Sequence, residues 1–342
     1  MTQIAIEPII KDILQTIEKD REREIISRRF GLFDRKETLE QIGELLGITR
    51  ERVRQLEKAI LTRIKSQAEQ GSLPHLSEVE SQIITILNES GDIARISNLT
   101  ELLLKSSSKI DQSRTAFICI ISPKLTVVNE NDFYYPTTAI TASFKTPKDI
   151  TKQIDEVVKT LKTIGKPATA KALAKEIKSD DANRTKALAS ASKQLTSLNN
   201  QWGLTKWPAV NPKNIRDKIF IILKENGKHM HFNEISKKIK QSEFKRKDVT
   251  TQAIHNELIK DDRFVLVGRG IYALKEWGYK KGTVSDVIAE ILQKANEPLH
   301  RDEIVKRVLK NRYVKETTIL LNLQGKKQFV RVAKATYALN EE

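Results

Sequence analysis

Apolar and polar positions over residues 36–65, KETLEQIGELLGITRERVRQLEKAILTRIK, alternate with a helical period rather than that of a strand. Leu39, Ile42, Leu45 and Leu46 recur at spacings of three and four, which stacks them on one side of a helix. Thr38 and Gln41 have capping-box spacing, so this helix is expected to begin near Leu39. Gly47 ends it, Ile48 packs inward, and Thr49 caps a second helix. On the second helix Val53, Leu56, Ile60 and Ile64 share one arc, while Arg50, Glu51, Arg54, Gln55 and Lys58 share another. Packing alone does not require that second set.

Further along, FVLVGRGIYAL at 264–274 and FVRVAKATYAL at 329–339 lie 65 residues apart and agree at six of eleven positions. Each alternates apolar residues about a turn of small residues, as a β-hairpin does. Helical patterns at 215–225, 232–239 and 249–259 precede the first, and others at 284–294, 301–309 and 315–323 precede the second. Fainter copies run through 150–164, 168–177 and 183–195 to WGLTKWP at 202–208. Another set runs through 78–88, 99–104 and 112–122 to LTVVNENDFYYP at 125–136, with 129–132 as the turn. Three helices followed by a two-stranded hairpin make a winged helix. The expected fold is therefore mainly α: a helix-turn-helix over 1–70, then winged-helix units at 71–145, 146–209, 210–280 and 281–342. A period of this size marks tandem small domains.

The strings DREREIISRRFGL (20–32) and ETLEQIGELLGITRERVRQLEKA (37–59) resemble the fourth conserved region of sigma-70 family factors. The resemblance spans about 9–65. It implies a unit that binds the promoter's −35 element and grips the flap of the RNA polymerase β subunit, with Arg50, Glu51, Arg54 and Gln55 at base- and phosphate-contacting positions. Side-chain chemistry agrees: Arg donates twice to guanine, Gln pairs with adenine, and Glu accepts from cytosine. The candidate DNA-binding set on this helix is Thr49, Arg50, Glu51, Arg52, Arg54, Gln55 and Lys58. A complete sigma factor has a promoter-melting region ahead of this one. Only about eight residues precede the resemblance, so promoter opening by this chain alone is not expected.

Residues 214–279 resemble the HARE-HTH domain through HFNEIS (231–236), QAIHNELI (252–259) and RFVLVGRGIYALKEWGY (263–279). That winged helix occurs in the delta subunit of bacterial RNA polymerase, in some restriction-modification proteins and in chromatin factors. Residues 282–340 look like a diverged relative without the turn glycines. In the first of these units the recognition helix is expected to begin with Lys245, Arg246 and Lys247. Val249, Ala253, Leu258 and Ile259 would face inward, and Thr251, Gln252, His255 and Asn256 outward. Basic residues at such a place neutralise phosphate, and Arg269 would project from the hairpin tip. In the last unit Arg307, Lys310, Arg312, Lys315, Lys326, Lys327, Arg331 and Lys334 would form a comparable basic surface.

Charge sharpens this picture. Of a formal net charge of +16, residues 1–70 carry +1 (14 basic, 13 acidic), 71–210 carry +4 (18 and 14) and 211–342 carry +11 (28 and 17). The C-terminal part thus favours a polyanionic partner. The single cysteine, Cys119, excludes an internal disulfide and thiolate metal clusters and reads as a small hydrophobe. Apolar runs reach about six residues, against the ~20 a bilayer span needs, and no basic-then-apolar leader opens the chain. A cytoplasmic, nucleoid-associated protein without a membrane partner is expected. Gly268 and Gly270 lack the third glycine of a dinucleotide loop, no phosphate-binding Gly-Lys-Ser/Thr is present, and His229 and His231 have no spaced ligand partner. No enzymatic activity, cofactor or metal is expected. The sequence points to a transcription regulator that binds double-stranded DNA through the 49–63 helix, with its winged helices as further contacts. The alternatives are a polymerase-binding accessory subunit, delta-like or competing with sigma at the β flap, or a specificity component of a DNA-modification system.

Overall fold

The computed structural model describes residues 4–279 and 282–340. It divides into two compact units, Met1–Val210 and Asn211–Glu342.

The first unit begins with four helices, α1 (Ile6–Gln15), α2 (Asp20–Phe30), α3 (Leu39–Leu46) and α4 (Arg50–Glu69). A repeating order of helix, short strand, two helices and hairpin follows. Its first copy is α5 (Leu76–Glu89), β1 (Ile93–Arg95), α6 (Ile96–Leu104), α7 (Lys109–Ile121), β2 (Leu125–Val128) and β3 (Thr137–Ile140). The second is α8 (Pro147–Ile164), β4 (Ala168–Thr169), α9 (Ala170–Glu176), α10 (Ala182–Ala191), β5 (Leu195–Leu198) and β6 (Gln201–Leu204). The second unit carries two more copies. One is α11 (Ile215–Asn226), β7 (Met230–His231), α12 (Phe232–Gln241), α13 (Thr251–Lys260), β8 (Phe264–Gly268) and β9 (Ile271–Leu274). The other is α14 (Val284–Ala295), β10 (Leu299–His300), α15 (Arg301–Asn311), α16 (Glu316–Gly325), β11 (Phe329–Ala333) and β12 (Thr336–Leu339). In every copy the short strand and the hairpin make one antiparallel sheet, with the last strand in the middle: β1-β3-β2, β4-β6-β5, β7-β9-β8 and β10-β12-β11.

Two expectations are corrected, and one feature is new. The helix anticipated over 183–195 stops at Ala191, because Leu195–Leu198 pairs with Gln201–Leu204 as a strand. The hairpin anticipated within 125–136 places its second strand beyond Pro136, at Thr137–Ile140. The Asn131 carboxamide oxygen accepts from the Phe133 and Tyr134 amides at 2.8 and 2.9 Å, which holds the intervening residues as a turn. The short strands β1, β4, β7 and β10 were not anticipated, since two or three residues are too few to show a period.

In the first unit the apolar cores do not stop at Gly71 or Lys145. One cluster joins Ile10, Ile13 and Ile64 to Ile83, Leu99 and Phe117. A second joins Ile93, Val128 and Phe144 to Ile154, Leu161, Leu188 and Trp202. Cys119 lies fully buried, which pushes its thiol up to about 12. In the second unit Arg312, expected on a basic surface, is buried instead. Its guanidinium donates to the carbonyls of Leu266 and Gly282. The Tyr313 amide donates to the Val267 carbonyl at 3.0 Å, and the Tyr313 ring lies 4.3 Å from that of His229. Residues 211–279 and 282–340 are thereby tied at β8. No helix among the described residues is long and apolar enough to cross a membrane.

Candidate nucleic-acid interface

The helix-turn-helix forms as the sequence dictates. Thr38 Oγ1 accepts from the Gln41 amide at 3.3 Å, and the Gln41 side chain returns to the Thr38 amide at 2.9 Å. Both are orphan donors of a helix start, satisfied reciprocally. The C-terminus of α3 closes at Gly47 in the left-handed region, and the Ile48 amide donates to the Gly43 carbonyl at 2.9 Å. Arg21, from α2, donates to the Leu46 carbonyl at 2.6 Å, complementing the negative end of α3. Gly43 has no room for a side chain, because a Cβ there would lie 2.6 Å from the Ile48 carbonyl oxygen. Thr49 then caps α4 by accepting from the Arg52 amide at 3.2 Å.

Two cores hold α4. Ile25, Ile42 and Val53, flanked by Leu39, Leu46, Ile48 and Leu56, bind its first turns to α2 and α3. Ile60, Ile64 and Ala68 bury its later turns in the cluster that contains Ile83 and Phe117. Ion pairs fasten the flank: Arg29 to Glu57 at 3.2 Å, and Arg63 to Glu22. What remains outward is the candidate set, for Thr49, Arg50, Glu51, Arg52, Arg54, Gln55 and Lys58 are all exposed.

These side chains already form a network. Arg54 donates from Nε and Nη2 to the two Glu51 oxygens at 2.8 and 2.6 Å, a bidentate pair. Gln55 approaches the same carboxylate at 3.5 Å, and Arg52 reaches Gln55 Oε1 at 3.4 Å. Arg50 pairs with Glu40 of α3 at 2.6 Å. The Arg54 hydrogen bonds hold the Glu51 carboxyl below the usual carboxylate range, and Glu51 in turn raises Arg54. Both groups are therefore charged at neutral pH, so the face offers two-pronged donors beside acceptors and amides.

The candidates in the second unit are arranged less simply. Lys245, Arg246 and Lys247 do not begin the helix: they lie exposed in the loop before α13, whose cap is Thr250. Arg246 takes the left-handed conformation, and its carbonyl accepts from the buried Lys218 ammonium at 2.7 Å. Burial lowers the Lys218 pKa. The inward arc of α13 is Ile254 and Leu258 rather than Ala253 and Ile259; Ile259 is 66% exposed. Thr251 is half-buried, with its hydroxyl 3.3 Å from that of Ser236. The His255 ring lies between Phe232 at 4.9 Å and Tyr272 at 6.1 Å, so it packs more than it projects. Gln252 is exposed and bonded to Asn256 at 3.0 Å, and Arg269 is exposed at the turn between β8 and β9.

Sequence reasoning passed over Arg21 and Lys218 and placed Arg312 on a basic surface, whereas the cationic heads of all three cap carbonyls, Lys218 and Arg312 from buried positions. A signal existed for Lys218: with Ile215, Ile219 and Ile222 it falls on the apolar arc of its helix. No group of three or more metal-binding side chains occurs among the described residues. In comparison with known families, residues 19–66 match "Sigma-70, region 4". That segment comprises α2, α3 and most of α4, and the match points to a helix-turn-helix of the DNA-binding type.

Proposed function

We propose that this chain is a transcription regulator that reads double-stranded DNA with the outer face of α4, and that its four following repeats are winged helices. The 211–340 pair adds sequence-independent contact through Lys245, Arg246, Lys247 and Arg269. It acts by binding and catalyses no reaction. One observation carries this reading. Over its first turns α4 commits Val53 and Leu56 to its own core and leaves Arg50, Glu51, Arg52, Arg54, Gln55 and Lys58 outward, where none of them is needed to pack the helix. A recognition helix is built in this way. RNA polymerase docking through the rear of the helix-turn-helix has less support, because Phe30, Leu32, Leu56 and Ile60 already pack within the chain's own cluster.

Selection of bound fragments from random duplexes, followed by anisotropy titrations in rising salt, tests the proposal. Neutralising about 6–10 phosphates gives a log–log salt slope near −5 to −9. The double variant Arg54→Ala, Gln55→Ala should lose about 1–3 kcal/mol of base discrimination per lost contact. Substituting Lys245, Arg246 and Lys247 by Ala should instead flatten the slope by about 0.9 per lost phosphate contact and leave the selected sequence unchanged. A flat salt response, or an unaltered sequence preference in the Arg54 and Gln55 variant, would sink the reading.

A further inference from the structure

The two copies in the second unit make their hairpins in identical register, yet only one hairpin is covered. In β8 and β9, Phe264 faces Leu274, Leu266 faces Tyr272, and a bulge precedes Gly268. In β11 and β12, Phe329 faces Leu339, Arg331 faces Tyr337, and a bulge precedes Ala333. Along β8 the Tyr313 amide bonds to the Val267 carbonyl and Arg312 to that of Leu266, while Trp277 and Tyr279 pack on Val265, Val267 and Ala273. Val265 and Val267 are consequently 1% and 0% exposed. Their counterparts Val330 and Val332 are 41% and 51% exposed. β11 is the outer strand of its sheet, and among the described residues no segment apart from β12 hydrogen-bonds to the main-chain groups of Val330, Arg331 or Val332.

We infer that the β11 edge is a docking site for an extended acidic polypeptide, which adds as a strand and places apolar side chains on Val330 and Val332. An uncovered edge presents unpaired main-chain groups, and strand addition satisfies them. The preceding repeat shows the mode, since a main-chain amide and aromatic side chains occupy the equivalent edge and face of β8. Charge selects the occupant. Lys327, Arg331 and Lys334 are exposed along this hairpin and have no carboxylate partner among the described residues. Residues 211–342 carry +11, so a second copy of this edge would be repelled whereas glutamates between the apolar positions would be attracted. The added strand stops at Val332. Gly268 admits the Tyr313 carbonyl, where a Cβ would lie 2.6 Å from that oxygen; its counterpart Ala333 carries such a Cβ.

The test uses the full chain and a fluorescein-labelled peptide that alternates glutamate with tryptophan, valine and tyrosine, followed by anisotropy. A control peptide of the same composition gathers its glutamates at one end. The alternating peptide should bind about tenfold tighter than the control and slow hydrogen exchange at the Arg331 amide. The double variant Val330→Asp, Val332→Asp should lose that preference. Equal binding of the two peptides to the unaltered chain overturns the inference whatever the variant does, for it would reduce the site to charge alone. Two other results also overturn it. One is self-association in sedimentation that the double variant abolishes, which makes the occupant a second copy. The other is duplex DNA that displaces the peptide and binds the double variant as weakly as the peptide does, which makes this edge part of the DNA interface.

Discussion

Gly43→Ala probes whether the turn between α3 and α4 sets the position of the reading face. The added Cβ would lie 2.6 Å from the Ile48 oxygen and 3.5 Å from the Arg50 nitrogen. Non-bonded contacts are optimal near ~3.5 Å, so the turn must retreat by roughly 0.9 Å. It cannot do so freely, since Ile48 packs against the core of Ile25, Ile42 and Val53. Overpacking of this kind costs about 1–3 kcal/mol, and replacing a helical glycine by alanine returns about 1 kcal/mol. A net destabilisation of about 1 kcal/mol is therefore expected. Gly47→Ala is the matched control. It meets nothing within 4 Å but must adopt φ +65°, which also costs about 1 kcal/mol and leaves the turn in place. Urea denaturation should find the two variants similarly weakened. Duplex anisotropy should separate them: displacing Thr49 and Arg50 costs one good base contact, about tenfold in affinity, whereas Gly47→Ala binds nearly as the parent does. Equal affinities for the two variants would refute the reasoning.

Two other outcomes test the second unit. The Arg263 hydrogen bonds hold the Asp261 carboxyl below its ordinary value, so the unfolded chain takes up this proton at a higher pH than the folded one. The stabilisation is complete above about 4, the unfolded value, and disappears as pH falls through the lower folded value. The gap in Tm between the parent and Asp261→Asn should accordingly narrow as pH falls below about 4; a constant gap contradicts the assignment. Arg312→Met removes two charge-assisted bonds to main-chain carbonyls. After allowance for the desolvation it also relieves, about 1–3 kcal/mol of coupling should be lost. Calorimetry should then resolve the melting of 211–340 into two transitions, and a single unshifted transition counts against that role.

Periodic segments with local stop signals were readable without coordinates. Thr38 with Gln41 starts α3, Gly47 ends it and Thr49 starts α4, and the exposed row on α4 follows from its 100° spacing; the far end of α4 lies at Glu69 rather than the expected 63. The hairpin repeat was equally plain, because Phe, Val, Tyr, Ala and Leu recur 65 residues apart in the same strand register. What stayed hidden depends on distant partners. Nothing local to Arg312 says that its guanidinium will cap a carbonyl 46 residues away. The orientation of α13 was misjudged for a related reason. Ile259 looks like a core residue by type, yet Ile254 and Leu258 already fill the inward arc. The shared core of residues 6–125 was equally invisible, since apolar periodicity shows which face of a helix is buried but not against what.

That shared core bears on how α4 would read a duplex. In a bare helix-turn-helix the later turns of the second helix end in solvent and fray, and every contact made by the first turns pays to order them. In this chain Ile60, Ile64 and Ala68 are anchored among Ile83, Leu87 and Phe117, so the axis of α4 is set before any ligand arrives. The outward side chains are restrained in turn: Arg54 is held on Glu51, and Arg50 on Glu40. Restraint of this kind lowers the ordering cost of the correct partner and does nothing for a mismatched one, which then leaves charged groups without acceptors. Residues 1–70 are almost neutral, and 211–342 hold most of the excess charge. Under the proposed function, discrimination would thus come from a rigid face that contributes little general attraction, while the basic repeats would supply an attraction that carries no sequence information.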